Sequence, residues 1–216
     1  MSESATLACR EQFYTPQQQR ETASIGMWVF LVTEIMMFGG LFMAYTVYRM
    51  SHPQAFAAGS ADMNILLGSI NTAILLTSSL MLAFAEHSSQ VGNQRLLAVF
   101  LIVTMAIGLV FLGIKFTEYH QHYQGHEAPG VWFNYPGPDA ANVQMFFIFY
   151  FIMTGLHAVH MIIGLGILSV LLFRTFLGTF TAEYHTPILF GGLYWHFVDI
   201  IWIFLYAIFY LPGLHK

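Results

Sequence analysis

The chain has 216 residues, of which 57% are hydrophobic and only 8% charged. A soluble domain carries about 25% charged residues, so lipid rather than water must cover most of this surface. Seven Lys and Arg against eleven Asp and Glu give a formal net charge of −4, which excludes the basic footprint of a nucleic-acid binder; the single cysteine, Cys9, excludes an intramolecular disulfide or a thiolate cluster.

Residues 1–23 are polar and include Arg10, Glu11, Arg20 and Glu21. They lack the apolar centre of a cleavable signal peptide, so the first apolar segment is expected to act as both targeting signal and retained helix. A membrane span needs roughly 20 mostly apolar residues. Five stretches qualify, at 24–48, 64–85, 96–114, 143–173 and 187–211, the fourth long enough to tilt or project. The joints read as loops. Segment 49–63 holds His52, Pro53 and Gly59, 86–95 holds Gly92, 115–142 holds Pro129-Gly130 and Pro136-Gly137-Pro138, and 174–186 closes the series. Lipid-exposed backbone must satisfy its own hydrogen bonds, and the alternation of a membrane β-barrel is absent. The expectation is all-α: an integral membrane bundle of five transmembrane helices, with a polar segment 1–23 and one transmembrane domain, 24–212. Arg10, Arg20, Arg95 and Arg174 fall on one side, and Arg49, Lys115 and Lys216 on the other. That asymmetry predicts a cytoplasmic N-terminus.

The informative residues are ionisable ones inside the spans: Glu34, His157 and His160, and His196 and Asp199. Each should face a partner or a wet cavity, because exposure to hydrocarbon costs several kcal/mol. Both pairs are spaced i, i+3, so each pair shares a helix face. Three chemistries are open. Haem ligation fits poorly, since His157 and His160 are less than a turn apart and the fifth span offers only His196. A carboxylate–histidine metal site has the right donor types but lacks the Glu-x-x-His pairs of di-iron bundles. Hydrogen bonds across helices fit best. Glu34 either donates a hydrogen bond as the neutral acid or sits on a proton path. Gly26, Gly39, Gly40, Gly155, Gly164 and Gly166 would let helices approach closely. His120, His122 and His126 read as solvated loop residues.

Five runs carry a family resemblance. They are Thr33-Glu34-Ile35-Met36-Met37-Phe38-Gly39-Gly40; Asn71-Thr72-Ala73-Ile74-Leu75-Leu76, with Ala85-Glu86-His87 at the helix exit; Glu118-Tyr119; Thr154-Gly155-Leu156-His157-Ala158-Val159-His160-Met161-Ile162-Ile163-Gly164; and Tyr194-Trp195-His196-Phe197-Val198-Asp199 through Tyr206. In this order the chain resembles the cytochrome c oxidase subunit III family of bacterial haem-copper respiratory oxidases. The resemblance implies a non-catalytic subunit that packs on subunit I beside subunit II. It implies no haem or copper in this chain, both being carried by partner subunits. It implies bound phospholipid, and support for proton uptake and turnover stability. By the same resemblance, Glu34 is the intramembrane carboxyl. His157, His160, His196, Asp199 and Glu118 are inter-helix polar contacts, and Arg174 meets lipid phosphate, a fork of donors suited to that group. The implied place is the bacterial plasma membrane, with other respiratory-complex subunits as further neighbours. Larger family members have seven helices, and this chain lacks counterparts of the first two, which by the resemblance leaves one wall of the lipid cleft missing or supplied by another subunit.

Quinol oxidase subunit III and nitric oxide reductase accessory subunits share the five-helix pattern. Glu34 favours the cytochrome c branch, since Asp is expected there in the others. A membrane metal or haem redox protein is a competing class. A proton-coupled transporter would call for broken helices or inverted repeats, which the sequence does not show.

Overall fold

The computed structural model describes residues 15–125, 129–130, 133, 135, 139–181 and 184–214. Cys9, Arg10, Glu11, His126, Pro136-Gly137-Pro138 and Lys216 lie outside them. Five long helices carry windows apolar enough to cross a membrane. They are α1 (Pro16–Ser51), α3 (Ile65–Gln90), α4 (Gln94–Gln124), α5 (Ala140–Phe176) and α6 (Thr186–Phe209). A short α2 (Pro53–Ala61) follows α1, and a 3-10 turn (Leu211–Leu214) follows α6.

The ends of these helices follow from local chemistry. Thr15 Oγ1 accepts from Gln18 N at 3.1 Å with Pro16 next in line, which supplies an acceptor for an orphan N–H and a pre-set φ. Asn64 and Asn93 cap α3 and α4 the same way, accepting from Leu67 N and Leu96 N. α3 and α5 end alike. Gly92 and Gly178 adopt φ of 78° and 72°. Around them Gly92 N donates to Ser89 O and Asn93 N to Ser88 O, while Gly178 N donates to Thr175 O and Thr179 N to Arg174 O. This paired closure needs a residue free of a Cβ penalty at positive φ.

Two loop expectations are corrected. Segment 49–63 contains a helix, because Pro53 occupies the first turn of α2, where its missing N–H is no loss. Gly59 is there for packing: a Cβ would lie 2.5 Å from the Phe146 ring. Segment 115–142 does not begin as a loop. α4 continues through Gln124, and Lys115, Glu118 and His122 are all buried in it. The charge on Lys115 had masked the continuation. α1 likewise begins at Pro16, ahead of the apolar stretch at 24–48.

α6 is the central helix: 61% of its most apolar window is buried inside the bundle, against 11% for α1. α3 and α4 form a tight hairpin. Trp195 of α6 reaches between two glycines. A Cβ on Gly108 of α4 would lie 2.8 Å from its ring, and one on Gly164 of α5 2.9 Å. The end near α2 is closed by edge-to-face rings, with Phe56, Phe146, Phe149 and Phe209 around Tyr45 and one another. There Ser60 Oγ donates to Phe209 O at 2.8 Å and Tyr45 OH to Ile208 O at 2.8 Å.

Candidate functional site: polar contacts along the helix seams

Glu34 meets His160 across the α1–α5 seam, with Oε2 3.1 Å from Nε2. His160 Nδ1 lies 2.8 Å from Leu156 O. A carbonyl only accepts, so Nδ1 carries a hydrogen. One further proton then lies between Nε2 and the carboxyl, shared by the pair. The ring is held by an edge contact with Phe38 and by Tyr194 OH, which donates to His160 O at 3.1 Å.

Next to this pair lies a pocket of about 530 Å³ between α1, α5 and the start of α6. Its walls are apolar, among them Met27, Phe30, Ile167 and Leu171, and Gln19 and Arg20 stand at one end. Phe30 precedes Glu34 by one turn. From Gln19 to Phe30 the pocket follows α1 for about 16 Å at the helical rise. Arg174 is exposed in the last turn of α5, one turn beyond Leu171 and outside the pocket lining.

On the α3–α6 seam, Ser79 Oγ lies 2.6 Å from His196 Nδ1, and His196 Nε2 lies 3.7 Å from Glu86 Oε1. Glu86 crosses α6 directly over Gly192, where a Cβ would collide with its carboxyl. Trp195 Nε1 donates to Ser78 Oγ at 3.2 Å, and Trp202 Nε1 to Thr72 Oγ1 at 3.1 Å. Asn71, His157 and Asp199 are buried, with side-chain N and O atoms that have no hydrogen-bond partner among the described residues. His157 is enclosed by the rings of Phe111 and Trp202.

Of the most extensive network, the sequence pointed only to Glu118, as an inter-helix polar contact; Lys115, Tyr150 and Tyr210 were missed. Lys115 Nζ donates to Glu118 Oε2 at 2.8 Å, Tyr150 OH at 3.0 Å and Tyr210 OH at 2.8 Å, and it lies 4.8 Å from the Trp202 ring centroid. Tyr210 OH donates to Glu118 Oε1 at 2.6 Å. The ion pair is 3% and 1% exposed, and all three ammonium hydrogens have acceptors. The i, i+3 spacing of Lys115 and Glu118 was the available signal. Glu86, earlier only a helix-exit marker, is the other omission. His120 pairs with Gln124, while His122 is buried among Phe147, Tyr150 and Phe151.

Among the described residues, no three His, Cys, Asp or Glu side chains converge as a metal site. The imidazoles His160 and His196 are engaged by groups on other helices, and His157 is packed between rings. The arrangement defines a multi-pass membrane bundle whose ionisable groups lie along its helix seams.

Within that class the chain has a definite family. It matches the family described as Cytochrome c oxidase subunit III over residues 9–214, and it belongs to that family. It is 31% identical over 188 residues to the protein named Cytochrome c oxidase subunit 3 of Thermostichus vulcanus, covering 87% of this chain and 86% of the relative. It is 29% identical over 206 residues to the protein of the same name from Neotragus moschatus, covering 93% and 73%. The protein of that name from Pelea capreolus matches to the same extent.

Proposed function

We propose that the chain is the non-catalytic third subunit of a bacterial cytochrome c oxidase, packed on the haem-copper subunit I beside subunit II in the plasma membrane. In this reading it binds phospholipid and supports proton uptake and stability during turnover, while haem and copper reside in the partner subunits. The observation that carries the reading is the Glu34–His160 pair, which lies about one helical turn along α1 and α5 from Phe30 and Ile163 of the apolar pocket. A carboxyl and an imidazole sharing one proton are neutral as a unit, so the pair keeps a titratable carboxyl at mid-membrane at a lower cost than an isolated carboxylate. The pocket suits an acyl chain, and cationic Arg20 and Arg174 at the same end of the seam suit a phosphate headgroup. With Lys115 buried in α4, the arginines on the N-terminal side, Arg10, Arg20, Arg95 and Arg174, face only Arg49 and Lys216. This favours a cytoplasmic N-terminus.

Glu34→Ala is expected to leave the haem content of the assembled oxidase unchanged. It should weaken α1 packing by about 1–3 kcal/mol, the cost of an unpaired His160 Nε2, and lower proton uptake or shorten activity during turnover. Loss of haem from subunit I would overturn the reading. Arg174→Ala should release phospholipid, measured as phosphorus per purified complex; an unchanged count would remove Arg174 from lipid binding.

A further inference from the structure

Asp199 is 3% exposed on the central helix, and neither carboxyl oxygen is hydrogen-bonded among the described residues. The polar groups nearest along α6 are engaged elsewhere, Trp195 with Ser78, His196 with Ser79 and Trp202 with Thr72. The Ser79 hydroxyl of α3 lies beside the carboxyl without completing a hydrogen bond to it. Ser79 in turn begins a line of polar groups. Its Oγ is 2.6 Å from His196 Nδ1, and His196 Nε2 is 3.7 Å from Glu86 Oε1. The His196 and Glu86 side chains are 29% and 22% exposed at the outer edge of the seam. A line of exchangeable groups thus leads from the bundle surface to a buried carboxyl with unfilled acceptor sites. Buried water occupies polar sites of this kind and makes two to four hydrogen bonds there.

We propose that the α3–α6 seam is a water-binding proton-exchange site, in which ordered water joins Asp199 to Ser79 and the Ser79–His196–Glu86 line joins them to the outer edge. The transfer balances at each link. Asp199 gives a proton to the water, which gives one to Ser79 Oγ, which gives its own to His196 Nδ1. His196 releases the hydrogen on Nε2 to the Glu86 carboxylate, and nothing is oxidised or reduced. A small rotation of the Glu86 side chain closes the 3.7 Å interval. Gly192 keeps the lane open, since a Cβ there would displace the Glu86 carboxyl.

The test uses the assembled oxidase and the infrared band that Asp199→Asn removes. In heavy water the wild-type band is expected to shift. The shift should be about tenfold slower in His196→Phe, which removes the relay nitrogens, and in Gly192→Ala, which only moves Glu86 aside. Gly192→Ala carries the test alone if His196→Phe does not assemble. A map of the complex fine enough to show ordered water should carry a peak within hydrogen-bonding reach of Asp199 and Ser79. A deuterium-insensitive band, equal rates in Gly192→Ala and wild type, or a seam without that peak would each overturn the proposal.

Discussion

Lys115→Met is expected to destabilise the bundle by about 3–5 kcal/mol, because it leaves the Glu118 carboxylate buried without its counter-charge. The ammonium also holds Tyr150 of α5 and Tyr210 beyond α6, so three helical segments lose a common anchor. The double variant Lys115→Met/Glu118→Gln should recover much of the loss, since a buried ion pair replaced as a unit is often close to neutral. Denaturant- or detergent-driven dissociation of the subunit from the oxidase checks this. A double variant no more stable than Lys115→Met would show that the uncompensated charge is not the cause.

Trp195→Ala should cost about 3–5 kcal/mol, the usual range for a large core side chain. The indole is wholly buried and fills the space left by Gly108 and Gly164 on two other helices. In lipid such close packing replaces the hydrophobic drive between helices. Gly108→Ala or Gly164→Ala, with Trp195 intact, should cost about 1–3 kcal/mol through overpacking. In a Trp195→Ala background that cost should disappear, because the rigid ring is gone. Thermal midpoints of the four combinations form a double-mutant cycle; strictly additive effects would separate the glycines from the indole.

The five spans were legible because twenty apolar residues in a row have few other uses. Their ends were less legible, for two physical reasons. Pro53 and Gly59 carry turn signals, yet one starts a helix and the other makes room for Phe146. Lys115 breaks the hydropathy of α4, while the tyrosine hydroxyls that complete its hydrogen bonds lie on other segments and leave no local sign. Glu34 and His160 were both recognisable as misplaced in lipid. Their pairing was not, since 126 residues separate them and no local period links separate helices. The unfilled acceptors of Asp199 were likewise invisible, because they depend on where Trp195 and Trp202 send their donors.

That separation of 126 residues also sets a schedule for biogenesis. α1 emerges first from the ribosome, but its acid finds its imidazole only once α5 has been made. At about 5–20 residues per second, the interval is roughly 6–25 s. For that time the leading helix must hold Glu34 in the bilayer without its final neighbour, so nascent chains halted before His160 are where an insertion chaperone should be found attached to α1.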